Sequence, residues 1–227
     1  MSAIIQLKNV SKSYQEAGKQ RVIFDKLNLD IETASSLALV GRSGCGKSTL
    51  LNLISGIDVP QSGEVLIKNQ NIVDLDETQR TLFRRNHIGF VFQSFNLIPT
   101  LSVGENLQMP LELIGQEKKT NTKHRVQIGL TDVGLLDRYH SFPEQLSGGE
   151  QQRVAIARAI IHQPDLILAD EPTGNLDEEN SQIVLNLLFD LVKREQKSLI
   201  IVTHSTDVAA LADATIRVSD LNTKSHA

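Results

Sequence analysis

Of 227 residues one is cysteine, two are tyrosine and none is tryptophan. A lone thiol, Cys45, cannot close an internal disulfide, which excludes a disulfide-stapled scaffold and fits a reducing compartment. No apolar run approaches the ~18–20 residues of a membrane-spanning helix; Leu199-Ile200-Ile201-Val202 is typical of those present. No charged-then-apolar leader opens the chain, so no secretory signal is expected. Positive charge is not in excess either. Against 27 Asp and Glu stand 23 Lys and Arg, a net charge of −4, so there is no global basic footprint for nucleic acid. Internal repeats and low-complexity blocks are also missing. What is left, 40% hydrophobic and 22% charged, suits one sizeable globular domain with at most a smaller subdomain.

What is present centres on Gly41-Arg42-Ser43-Gly44-Cys45-Gly46-Lys47-Ser48-Thr49, which fills every fixed position of the phosphate-loop pattern G-x-x-x-x-G-K-[S/T]. A short apolar strand, Ser36–Val40, precedes it and helical turns from Leu50 to Ile54 follow, the context in which the pattern carries meaning. Glycines without a Cβ let successive N–H groups converge, and the helix adds the positive end of its dipole. Lys47 is then expected on the β- and γ-phosphate oxygens and the Ser48 hydroxyl on Mg²⁺. A glycine-rich turn beside a chance lysine would leave the filled positions and matching flanks unexplained.

Around this loop, Ile4–Val10 and Leu27–Ile31 alternate as half-exposed strands, with polar Gln15–Arg21 as a connection and Tyr14 at the end of the first strand. Glu64–Ile67 and Ile88–Phe92 read as strands and Asp76–Arg85 as a helix. Helical patterns over Val103–Leu113 and Lys123–Val133, with breakers at Pro99, Pro110, Gly115 and Gly134, predict a helical insert. After it come a helix over Gly148–His162, a buried strand at Leu166–Ala169, and a helix over Ser181–Lys193 with Ile183, Leu187 and Leu191 on one stripe, backed by Val184 and Leu188. Ser198–Thr203 and Thr215–Val218 read as the last strands, and Asp220–Ala227 as a frayed tail.

Two further stretches carry chemistry. The strand Leu166–Ala169 ends in Asp170-Glu171, which places two carboxylates at the carboxyl edge of a sheet. Asp170 is expected in the Mg²⁺ shell, and Glu171 as the group that polarises the attacking water. Leu146-Ser147-Gly148-Gly149-Glu150 opens a helix whose free N–H groups suit an anion, although a plain Ser147 cap explains the same pattern. One chain needs no second γ-phosphate cradle unless two chains sandwich the nucleotide.

With the phosphate loop, Gln93, Leu146–Glu150, Leu166–Glu171, Gly174-Asn175-Leu176-Asp177 and His204 in this order, the chain resembles, end to end, the ATP-binding subunit of an ABC transporter. The resemblance implies an α/β fold: a P-loop NTPase core of the ABC ATPase type with an N-terminal antiparallel β subdomain and an inserted α-helical subdomain. The single ATP-binding domain spans 1–227, with core at 1–93 and 146–220, helical part at 94–145 and tail at 221–227. It also implies that two copies pair head to tail on ATP, Ser147 and Gly149 of one contacting the γ-phosphate held by the other. By the same resemblance Tyr14 stacks on adenine, Gln93 touches Mg²⁺ and the attacking water, Asp177 lies at the dimer seam and His204 contacts the γ-phosphate. The other histidines (His87, His124, His140, His162, His226) carry no motif and are expected on the surface.

Phe90–Leu101 is similar to the branch of lipoprotein-release, macrolide-export and cell-division ATPases. That likeness implies a membrane permease partner, a place on the cytoplasmic face of the membrane, and a lipophilic cargo or transmitted force; the cargo itself is not written in the chain. An ABC-type ATPase acting on nucleic acid or ribosomes would carry a long coiled coil or a second motif set, and a phosphate-loop kinase would leave Ser147–Glu150 and His204 without a role.

Overall fold

The computed structural model describes residues 3–16, 18–115 and 119–221. The described residues form two compact units, one built from those up to Arg84 and from Ser198 onward, the other from Arg85–Lys197.

In the first unit β1 (Ala3–Glu16) and β2 (Lys19–Glu32) pair antiparallel, with Ile5, Leu7, Val10, Phe24, Leu27 and Ile31 turned into the core. Both strands outrun the expected alternating segments. Gln15 pairs with Gln20 and Glu16 with Lys19, so most of the expected connection is ladder. Backbone pairing carries these polar ends, where no apolar face marks a strand. Next comes β3 (Ser36–Val40), then α1 (Lys47–Ser55), which stops at Gly56 in a left-handed conformation. β4 (Ser62–Ile67) joins the free edge of β1 and pairs with β5 (Gln70–Asn71), and α2 (Glu77–His87) follows.

The second unit holds β6 (Ile88–Phe92), paired parallel with a later strand, and the helices α3 (Val103–Ile114) and α4 (Lys119–Asp132). Pro110 does not break α3 but lies inside it; a Ser102–Glu105 capping box starts the helix and Gly115 ends it. α5 (Gly148–Ile160) packs on β6 so closely that a Cβ on Gly89 would come within 2.1 Å of the Ala159 carbonyl oxygen. β7 (Leu166–Asp170) is the partner of β6, in a register that sets Phe92 opposite Asp170. α6 (Glu178–Arg194) buries Val184, Leu185, Leu188, Leu191 and Val192. Ile183, expected on the inner stripe, is 49% exposed, because the surface the helix packs on selects a face rotated from the anticipated one.

Two histidines depart from the expected surface placement. His162 is largely buried, and among the described residues neither ring nitrogen makes a well-formed hydrogen bond. Burial lowers its pKa from 6.5 to about 4, opposed by the Ile88 backbone and reinforced by the charges of Arg125 and Lys197. His87 is part-buried and paired with Asp165 at 2.7 Å. His124 and His140 are exposed as expected, and His226 lies outside the described residues.

The chain then returns to the first unit. β8 (Ser198–Thr203), α7 (Thr206–Ala210), β9 (Ala214–Arg217) and α8 (Val218–Leu221) complete it, with β8 and β9 parallel to β3 on either side. Asp220 and Leu221, read as part of a frayed tail, belong to α8; the remainder of that tail lies outside the described residues. No helix among the described residues is long and apolar enough to cross a membrane.

Candidate functional site

The residues singled out by sequence fall into two groups, one in each unit. In the first, the loop 41–46 joins the carboxyl end of β3 to α1. Gly44 and Gly46 have φ of 75° and 104°, conformations that side chains rarely adopt. A Cβ on Gly46 would also stand 2.8 Å from Ile23 Cγ2, so β2 sets how tightly the loop can turn. Gly46 caps α1 with no side-chain acceptor, which leaves the first amides of the helix to an outside anion. Lys47 Nζ folds over the loop, donating to the carbonyls of Gly41 (2.7 Å) and Arg42 (3.1 Å). Ser48 and Thr49 follow on the first turn, Ser48 exposed and Thr49 partly so.

Around this loop a cleft of about 700 Å³ is lined by Gly41, Arg42, Cys45 and His204 together with Arg217 and Ser219. The structure thus brings His204, which leaves the end of β8, to the phosphate loop some 160 residues earlier in the chain. Arg217, Arg21 and Asp58 are missed by motif reading. Arg21, cross-strand from Tyr14, donates from Nη2 to the Gly44 carbonyl at 2.6 Å and pairs with Glu16 at 3.2 Å. Tyr14 donates its hydroxyl to Asp58 Oδ2 at 2.8 Å.

In the second unit, the β6–β7 register brings Asp170 and Gln93 to one edge. Asp170 is half-buried there, and Glu171 has a left-handed φ of 48° and accepts from the Gly174 amide at 3.0 Å. A non-glycine residue in that region costs on the order of 1–3 kcal/mol, a strain that recurs where a side chain must be aimed. Gln93 and Asn175 exchange hydrogen bonds: Gln93 Nε2 donates to Asn175 Oδ1 and Asn175 Nδ2 to the Gln93 carbonyl, both at 3.0 Å. The loop after Gln93 is pinned from two helices. Buried Arg158 donates to the carbonyls of Asn96 (2.6 Å) and Phe95 (3.0 Å), and fully buried Asn106 donates to those of Ile98 and Leu101.

Ser147 caps α5, accepting from the Glu150 amide at 3.3 Å, while Glu150 accepts from the Ser147 amide and hydroxyl, both at 2.8 Å. Those two bonds hold the Glu150 carboxyl below the usual range. A Cβ on Gly149 would meet Asn180 Oδ1 at 2.6 Å, and one on Gly148 would meet Leu176 at 3.3 Å. The start of α5 therefore abuts the segment that starts α6. Asp177 caps α6, accepting from the Asn180 amide at 2.8 Å and from Asn180 Nδ2 at 2.7 Å, and these bonds lower its carboxyl pKa.

Among the described residues no cluster of three or more His, Cys, Asp or Glu could hold a metal by itself. Of the metal ligands expected from the sequence, the Ser48 hydroxyl lies in the first unit and the Gln93 amide and Asp170 carboxylate lie in the second. Hard oxygen donors of this kind fit Mg²⁺, which commonly keeps one or two protein ligands beside phosphates and water.

The family profile described as ABC transporter matches residues 24–174. An uncharacterised ABC transporter ATP-binding protein of Mycobacterium tuberculosis is 48% identical over 215 residues, 95% of this chain and 86% of that protein. The lipoprotein-releasing system ATP-binding protein LolD of Treponema denticola is 41% identical, with 95% of each chain covered. Among solved structures, the dimeric ATP-binding cassette MJ0796, in a post-hydrolysis state bound to ADP and Pi, superposes with a TM-score of 0.84 at 39% identity, again over 95% of each chain.

Proposed function

The chain belongs to the ABC transporter family, and from that premise we propose how its residues divide the work of a transporter's ATP-binding subunit. It is an ATPase whose hydrolysis is coupled to transport. The observation that carries the assignment of roles is the start of α1, where no side chain caps the helix and Lys47 folds over the loop.

The amides of Gly44–Thr49 receive the phosphate chain, and Lys47 leaves the Gly41 and Arg42 carbonyls for the β- and γ-phosphate oxygens. Arg42, Ser43 and Cys45 contribute backbone to the same cradle, and Tyr14 stacks on the base. Mg²⁺, when bound, would neutralise charge developing on the phosphates, with Ser48, Gln93 and Asp170 as its protein ligands. Glu171 orients and polarises the attacking water. His204 donates to the γ-phosphate.

We propose a second copy of the chain as partner, with Ser147, Gly148, Gly149 and Glu150 of each copy closing over ATP held by the other and Asp177 at the seam. The dimeric state of the solved MJ0796 cassette supports this pairing. The lipoprotein-releasing relatives support a membrane permease as second partner, a place on the cytoplasmic face of the membrane, and a lipophilic cargo or a transmitted force as the output.

Sedimentation with ATP and Mg²⁺ tests the scheme. Glu171→Gln is expected to bind ATP, stall before hydrolysis and sediment as a dimer, whereas Lys47→Ala loses turnover. A monomer at every ATP concentration would remove the sandwich. Wild-type turnover in Lys47→Ala would remove the role given to that lysine.

A further inference from the structure

Asp58 belongs to no motif, yet three chain segments converge on it. It follows α1, and its amide donates to the Asn52 carbonyl at 3.1 Å, tying it to the helix that starts at the phosphate loop. Its Oδ2 accepts the Tyr14 hydroxyl at 2.8 Å, and its Oδ1 accepts Lys12 Nζ at 2.6 Å. Lys12 is 8% exposed, and its ammonium has a second acceptor in the Val59 carbonyl at 2.8 Å. That ammonium lies 5.0 Å from the Tyr14 ring centroid, a cation–π contact. Thr49, at the end of the phosphate-loop motif, also interacts with the Tyr14 hydroxyl.

Such convergence needs a reason. An aromatic ring that receives a base by stacking must present one face in a fixed orientation before the base arrives; otherwise part of the stacking energy is lost in ordering it. A tyrosine on an exposed strand end has two free side-chain torsions. Fastening its hydroxyl to a carboxylate, itself held by a buried lysine, removes both. Burial works against ionisation of Asp58, but the hydrogen bonds from Lys12, Tyr14 and the Val59 amide outweigh it, so the carboxylate stays charged well into acid. The Tyr14 phenol is shifted upward, first by burial and then by its bond to Asp58, so it stays a donor at neutral pH.

We propose that Asp58 is a positioning residue for base recognition. It touches no nucleotide but holds the Tyr14 ring as the stacking platform, so the base-dependent part of ATP binding passes through it. The proposal rests on the reading that Tyr14 stacks on the base.

The test compares equilibrium binding of ATP with that of inorganic tripolyphosphate, which offers the phosphate chain without a base. Stacking on an aromatic side chain corresponds to about 5- to 150-fold in affinity. Tyr14→Ala is therefore expected to weaken ATP by about that factor and to leave tripolyphosphate unchanged. Asp58→Ala is expected to reproduce most of this loss, again for ATP alone, and Asp58→Asn, which keeps an acceptor for the hydroxyl, to recover part of it. Where Asp58→Ala fails to fold, because Lys12 is left buried without its carboxylate, Tyr14→Phe serves. It removes only the hydroxyl and is expected to weaken ATP by about 2- to 12-fold, the worth of one hydrogen bond.

If Tyr14→Ala leaves the ratio of the two affinities unchanged, the stacking reading fails and the proposal with it. If Tyr14→Ala changes that ratio while Asp58→Ala and Tyr14→Phe do not, stacking stands and the role of Asp58 is overturned. Equal weakening of both ligands by Asp58→Ala would reduce it to a structural residue.

Discussion

Cys45 Sγ sits against the start of the phosphate loop, near enough that a Cβ on Gly41 would meet it at 2.5 Å, and it lines the same cleft as Arg42 and His204. A group added to that sulfur enters the cleft beside the amides proposed to receive phosphate. Treatment with N-ethylmaleimide is therefore expected to abolish ATP turnover, and saturating ATP to slow the modification severalfold. Inactivation at the same rate with and without ATP would sink this expectation. At this scale the turn between β3 and α1 was legible because its glycines and the helix start are set by consecutive residues. Arg21 on the Gly44 carbonyl was not, since that contact joins positions 23 apart across a strand and a loop.

One helix start was open to two readings. Asp177 was expected at a subunit seam, with a plain cap as the simpler alternative, and it does cap α6 through the Asn180 amide. Removal of such a cap costs about 1 kcal/mol. For a chain of this size that lowers the thermal midpoint by roughly 2–4 °C. Asp177→Ala should show that drop in calorimetry, and Asp177→Asn, an equally good cap, should not. An equal fall in both variants would mean the charge, not the cap, is what α6 requires. The phase of α6 was the less legible property. Its apolar residues permit more than one inner stripe with the helical period, and packing selected the stripe of Val184, Leu188 and Leu191 over one that includes Ile183.

Whole-molecule stability should carry the mark of His162. Its folded pKa, about 4, lies below the ordinary 6.5. As pH falls, the unfolded chain takes up the proton first, so stability is full above pH 6.5 and declines from there toward pH 4. The decline integrates to about 3 kcal/mol at most. The lowered carboxyls of Asp58 and Glu150 act in a separate window: their contribution is present above the ordinary carboxylate range and is lost only as pH falls through their depressed folded values. Urea unfolding between pH 7.5 and 5 should thus show a falling midpoint in the wild type and a flatter profile in His162→Phe. Identical slopes would place the titration elsewhere. Nothing in the local sequence around His162 distinguishes it from an exposed histidine, because Ile88, Arg125 and Lys197, which act on it, are distant in the chain.

The sequence by itself determined the family, the order of the motifs and the chemistry each can do, since a phosphate loop or a strand-end acid pair is specified by a few consecutive residues. Only the tertiary structure decided which of these groups are fastened and to what: Tyr14 to Asp58 across 44 positions, Gln93 to Asn175 across 82, and Arg158 to the Phe95–Asn96 turn across 62 to 63. Such contacts depend on strand register and on how closely helices approach, and those are settled by burial of apolar surface over the whole fold, not by the spacing of the residues that meet.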